Sequence, residues 1–373
     1  MVKTTVQELT EIGQSIWLDY ISRSLIDTGK LNHMIELGVR GLTSNPSIFD
    51  KAISTSNDYD NNIKELQRLE KSTFEIYDDL TVKDIQDAAD IFRPIYEESH
   101  GTDGYVSLEI NPELAYMVGE TVAEGKRLFH KVNRPNVLFK VPSTDQGFLA
   151  MEELLAQGIN VNVTLIFSLQ QYINTAQSYI KGVKRFAQNK GDISRLSSVA
   201  SVFVSRVDTQ IDRFLDEKIN QSPENIRKGL DALKGKAAVA NAGIIFSKYK
   251  EIFSNQEFKE IQKKGACVQR LLWGSTSTKN PDYLDIKYVA ELIGTDTVNT
   301  IPEKTLNAFL DHGSVKTTLS TETKQYQDVL DKLDDQGINI NAVCKKLLDD
   351  GVVAFEKSFS SLLNAIKQKA KQS

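Results

Sequence analysis

The chain has 373 residues, 40% hydrophobic and 25% charged, with a formal net charge of −5. That balance excludes fibrous, disordered and disulfide-stapled classes, and it argues against a polyanion-coating surface, so no nucleic-acid partner is expected. Two cysteines, Cys267 and Cys344, with no CxxC and no histidines at ligand spacing, predict neither a disulfide framework nor a metal site. No apolar run reaches the ~18 residues of a membrane span and the first residues have no apolar signal core, so a cytoplasmic protein without a membrane partner is expected.

In chain order, strand-like runs begin at Ser15 (SIWLDYI), Gly41 (GLTSN), Gly104 (GYVSLEIN), Val137 (VLFKVP), Asn160 (NVNVTLIF), Ser197 (SSVASVFVSR), Arg270 (RLLWGST) and Thr297 (TVNTIP). Helical periods fill most of the gaps. Thr81 to Asp84 reads as a capping box ahead of Val82, Ile85, Ala89 and Phe92, and Pro112 and Pro302 suit first helical positions. Gly158 closes a helix carrying Leu149, Leu154 and Leu155, and Ser168 with Gln171 forms another capping box. After Gly313 a polar stretch precedes helical patterns that include a late amphipathic one from Val352.

Strand followed by helix, repeated, predicts a parallel sheet. No GxGxxG follows the first strand and no GxxxxGK[ST] occurs, so the signatures of an open nucleotide-binding sheet are missing. The expected fold is α/β, a single (β/α)8 TIM barrel with helical insertions and a C-terminal helical extension. The whole chain, 1–373, is read as one domain, with the barrel over about 10–313 and the extension, which is expected to shield the barrel mouth, over about 314–373.

Side chains alternate across a strand, so Asn160, Asn162 and Thr164 share one face while Val161, Val163 and Leu165 share the other. The apolar face should meet helices, leaving the polar one to look inward near the strand's C-terminal end, where barrel enzymes build their sites. The same parity pairs Asp19 with Trp17, Asn45 with Thr43, Glu109 with Ser107, and Lys140 with Leu138. Charges at three strand ends pointing into one barrel require partners or chemistry. Lys140 sits between large apolar neighbours, and an amine taken out of water favours its neutral, nucleophilic form.

At these residues the chain resembles the transaldolase family, in its bacterial, stand-alone form. The blocks LDYISR, GLTSNPSIF, VSLEINP, VLFKVPST, GINVNVTLIFSLQQY, SVFVSRVD, WGSTSTKNPDY and TVNTIP carry the resemblance from Asp19 to Pro302. It implies transfer of a dihydroxyacetone unit between sugar phosphates of the non-oxidative pentose phosphate pathway, with no metal or organic cofactor, in a monomer or homodimer. Lys140 is then the Schiff-base lysine and Asp19 the acid/base for the sugar hydroxyl, while Glu109 and Thr164 hold a water for proton transfer. Asn45, Asn162 and Ser201 would bind the donor, Phe203 would shape the pocket, and Arg206, Ser277 and Lys279 would hold phosphate.

Ser201 and Arg206 have opposite strand parity, so Arg206 must lie past the strand end. Lys279 departs from the better-known pattern, which has arginine there; the charge is kept and the planar fork is lost. None of His33, His100, His130 or His312 lies in a matched block. Two other readings are an aldolase that releases its three-carbon product to water, like the related fructose-6-phosphate aldolases with tyrosine at the Glu109 position, and a catalytically silent phosphosugar-binding barrel.

Overall fold

The structure is a computed structural model that describes residues 3–371. Eight parallel strands close a barrel in chain order: β1 Gln14–Leu18, β2 Val39–Thr43, β3 Tyr105–Glu109, β4 Val137–Pro142, β5 Val161–Ile166, β6 Ser198–Phe203, β7 Arg270–Gly274 and β8 Thr297–Ile301. β8 pairs with β1 to complete the closure. All eight lie within or against the strand-like runs of the sequence, and the (β/α)8 expectation holds.

Strand alternation divides the barrel into two cores. Ile16, Leu18, Val106, Leu108, Phe139 and Val141 face outward and join the layer beneath the helices. Trp17, Tyr105, Leu138, Val199, Leu272 and Val298 form a separate cluster that contains the interior of the barrel. Below them lies a polar floor, where the Arg270 guanidinium donates to Ser15 Oγ and Thr297 O at 2.7 Å and pairs with Asp103 at 3.1 Å. Above them, toward the C-terminal strand ends, the inward positions become Thr43, Glu109, Lys140, Asn162, Ser201 and Thr300, all buried.

The capping boxes come out differently from one another. Ser168 and Gln171 satisfy each other's backbone N–H groups at the start of Leu169–Gln188, as expected. Thr81, however, is interior to the 26-residue helix Thr73–Glu98, which is opened by Ser72 and Glu75; its hydroxyl donates to Tyr77 O one turn back. The same T-x-x-D spacing therefore does not start a helix here, because an earlier box already has. Pro112 opens a short 3₁₀ turn, and Pro302 stands one residue outside Glu303–His312 as its cap. Gly158, with φ +78°, follows the helix Asp145–Leu155, in which Leu149 points to solvent while Leu154 and Leu155 are buried.

Beyond the barrel strands, Lys324–Asp335 leads into a 32-residue helix, Ile340–Lys371. It begins well before Val352, and its buried stripe runs through Val343, Leu347, Gly351, Phe355, Phe359, Leu362 and Ile366. No helix among the described residues is long and apolar enough to cross a membrane.

Gly41 on β2 marks the tightest point of the barrel interior. A Cβ there would stand 2.6 Å from the ring of Trp17, which is fully buried and donates its indole N–H to Asp103. Neither ring nor strand can withdraw cheaply from a close-packed interior. We expect Gly41→Ala to destabilise the protein by about 1–3 kcal/mol in urea unfolding, as overpacked cores do.

Candidate active site

Lys140 and Glu109 are direct neighbours in the β3–β4 register and both point inward. Lys140 is 4% and Glu109 5% exposed, so neither charge has water to rely on. Lys140 Nζ lies 3.0 Å from Glu109 Oε2 and donates to Ser44 O at 3.0 Å. At that separation the two side chains form a buried ion pair. Burial raises the Glu109 pKa above the ordinary carboxylate range, with the Lys140 charge opposing it.

Asp19 follows β1, its N–H bonded to Ile301 O, and reaches the same space from the opposite side of the barrel. Desolvation raises its pKa; the Lys140 charge, a hydrogen bond from Thr43 Oγ1 at 2.9 Å and the Lys279 charge pull it back. Thr164, on β5, is fully buried and its hydroxyl makes no hydrogen bond among the described residues. The strand is irregular just beyond it: Leu165 has φ +61°, and the β5–β6 register shifts between Val163 and Ile166. A branched apolar residue in the left-handed region is strained, and it lies at the edge of the site.

These groups open into a cavity of about 360 Å³ at the C-terminal barrel face, the face on which this fold carries its active sites. Nine of the eleven expected site residues line it: Asp19, Asn45, Lys140, Thr164, Ser201, Phe203, Arg206, Ser277 and Lys279. Glu109 and Asn162 are the other two, and they stand behind its wall. Asn162 is fully buried, donating to Ser107 Oγ at 3.0 Å and accepting from Ser201 Oγ at 2.6 Å. Its amide is thereby tied to Ser201 rather than exposed to the cavity. Asn45 caps the helix Pro46–Thr55, with Oδ1 accepting from Ile48 N, and its amide nitrogen makes no hydrogen bond among the described residues.

The rim is cationic. Arg206 sits in the first turn of Ser205–Gln221, past the end of β6 as its parity required, with its guanidinium 5.3 Å from the Phe203 ring centroid. Burial lowers its pKa, and no carboxylate pairs with it among the described residues. Lys279 donates to Ser277 Oγ at 2.7 Å in the loop after β7. Lys51 completes the set from the helix that Asn45 caps, and neither lysine makes an ion pair among the described residues. Three cations around one opening, none of them in an ion pair among the described residues, outnumber the one lining carboxylate, Asp19, and suit an anion such as phosphate.

Sequence reasoning missed Lys51, Thr43 and Phe355. Thr43 was readable, since it alternates with Asn45 along the GLTSN run; Lys51 and Phe355 reach the site through packing between distant segments. A larger cavity of about 520 Å³ opens at the opposite barrel face against the floor of Ser15, Asp103 and Arg270. Its buried charges are matched to one another. Among the described residues no group of three or more histidine, cysteine, aspartate or glutamate side chains is arranged to hold a metal ion.

Residues 16–366 match the model of the family described as Transaldolase/Fructose-6-phosphate aldolase. The chain is 45% identical to a protein of Trichodesmium erythraeum named "Transaldolase", with 100% of this chain and 99% of the relative aligned. It is 45% identical to "Transaldolase 2" of Nostoc sp. (98% and 97% covered) and 43% identical to "Transaldolase" of Saccharopolyspora erythraea (99% and 98%). Fold, buried lysine and full-length likeness agree, and the chain belongs to the transaldolase/fructose-6-phosphate aldolase family.

Proposed function

We propose that this protein is a transaldolase in which Lys140 carries a dihydroxyacetone unit as a Schiff base between ketose and aldose phosphates of the non-oxidative pentose phosphate pathway. The observation that carries this reading is the buried Lys140–Glu109 pair beneath a cation-rimmed cavity that Asp19 also lines. In such a pair a proton can pass from ammonium to carboxylate, since burial already favours the protonated form of Glu109. The freed amine attacks the ketose carbonyl carbon, water leaves, and the resulting iminium withdraws electrons from the neighbouring carbon–carbon bond.

Asp19 takes the proton of the sugar hydroxyl, the carbon–carbon bond breaks, and the aldose phosphate departs, leaving a three-carbon enamine on Lys140. Attack on an incoming aldose reverses the sequence. Thr164, with a hydroxyl unspent within the protein, and Glu109 together suit the holding of a water that moves protons during formation and hydrolysis of the Schiff base. Asn45 and Ser201 bind the donor hydroxyls, and Asn162 acts by orienting Ser201. Phe203 shapes the pocket and supports Arg206, which with Ser277 and Lys279 holds the phosphate. Lysine replaces the arginine fork by a point charge that still attracts phosphate. A cytoplasmic monomer or homodimer without nucleic-acid partners completes the proposal. Glu109, where aldolase relatives have tyrosine, favours transfer over release.

Borohydride reduction with fructose 6-phosphate is expected to leave a three-carbon adduct on Lys140, found by peptide mass spectrometry, that is lost when erythrose 4-phosphate is added and sedoheptulose 7-phosphate appears. An unmodified Lys140 would refute the mechanism. Asp19→Asn should lower kcat by about 10²–10⁴-fold, the range of general acid–base groups, and trap the intact six-carbon ketose instead of the three-carbon fragment. Thr43 favours the ionised form of Asp19, so Thr43→Val should raise the Asp19 pKa further. The acidic limb of kcat/KM, where Asp19 becomes protonated and inactive, is then expected to move to higher pH.

A further inference from the structure

The reaction proposed above leaves one demand without an assigned residue. Once the carbon–carbon bond has broken, the enamine on Lys140 is a carbon nucleophile, and water competes with the aldose for it. If the enamine carbon takes a proton from water, the iminium re-forms. A second water then adds, the carbon–nitrogen bond breaks, Lys140 regains its amine and dihydroxyacetone is lost.

One element roofs this position. The helix Ile340–Lys371 packs along the helix Pro46–Thr55, with Ser358 Oγ 2.8 Å from Ser47 Oγ, and its end reaches the next helix, Asp60–Arg68, with Lys369 Nζ 2.6 Å from Asp60 Oδ1. At Gly351 it comes so close to the end of β5 that a Cβ would meet Leu165 Cδ2 at 3.0 Å, with Arg206 Nη1 at 3.7 Å. Glycine is disfavoured inside a helix, and here its missing side chain permits that approach. One turn later on the same stripe stands Phe355. It is 5% exposed and lines the cavity, with its ring centroid 5.9 Å from Lys140 Nζ. At that distance, beyond direct contact, the ring presents apolar surface toward the nitrogen and attracts the positive charge of the iminium.

We propose that Phe355 is a specificity-determining residue that keeps water from the three-carbon enamine on Lys140, so that the fragment is passed to an aldose and not released as dihydroxyacetone. The proposal rests on the Lys140 Schiff-base reading. The test uses the full chain with fructose 6-phosphate and erythrose 4-phosphate, and reads the ratio of sedoheptulose 7-phosphate to free dihydroxyacetone beside the borohydride adduct.

Phe355→Ala is expected to lower that ratio by about tenfold, equivalent to about 1.4 kcal/mol in the partition. Phe355→Leu, the variant that decides if alanine prevents folding, should lower it less. Phe359→Leu, one turn along and packed against Tyr77 at 5.1 Å between ring centroids, should leave the ratio unchanged. An unchanged ratio in the Phe355 variants with a normal Lys140 adduct overturns the proposal, as does an equal drop in Phe359→Leu, which would mean a loosened helix. Absence of any adduct on the unaltered protein overturns the Schiff-base reading and this proposal with it.

Discussion

A lysine and a glutamate on neighbouring strands, both closed off from water, set the terms for the upper half of this barrel. Burying such a pair is expensive, and its mutual attraction offsets the loss of hydration only when geometry and further hydrogen bonds cooperate. Here Ser44 O accepts a hydrogen bond from the ammonium, and the Glu109 carboxylate lies 3.0 Å from the same nitrogen. The pair is thus held in place by the barrel walls and by mutual attraction, and on the proposed mechanism the short separation is the path for a proton. Thr43, Asn162, Ser201 and Thr300 are buried with it at the same end of the barrel, above the apolar layer that holds Leu138.

Much of this was legible in the chain. Parity in VSLEIN and VLFKVP already put Glu109 and Lys140 inward, because a strand with one apolar face has only one other place to send its remaining side chains. The same rule sent Arg206 beyond its strand. What stayed hidden depended on contacts that no local pattern encodes. Thr81 carries a cap signal as good as that of Ser72, and only the earlier start of the helix decides between them. Asn162 shares the parity of Thr164, yet Ser201 and Ser107 occupy its amide, so one lines the cavity and the other stands behind it.

The C-terminal helix shows the same limit on a larger scale. Its amphipathic stripe was visible from Val352 onward, but the stripe reads equally well for any apolar surface. That Phe355 meets Lys140, more than two hundred positions earlier, follows from the packing at Gly351 and Ser358. The glycine that weakens the helix in isolation is also the place where the helix can approach the strained end of β5, so local propensity and tertiary fit disagree there and fit prevails.

The floor of the barrel has a different kind of consequence. Arg270 is tied to Ser15, Thr297 and Asp103, Trp17 fills the layer above, and the lower cavity shares no lining residue with the one at Lys140. On the proposed mechanism traffic is one-ended: a departing aldehyde and its replacement share the vestibule of the Lys140 cavity and the same cationic rim. Such a vestibule enforces turn-taking. The first product would have to clear the doorway before the second substrate could enter, so architecture would impose the same alternation as the covalent chemistry proposed for Lys140.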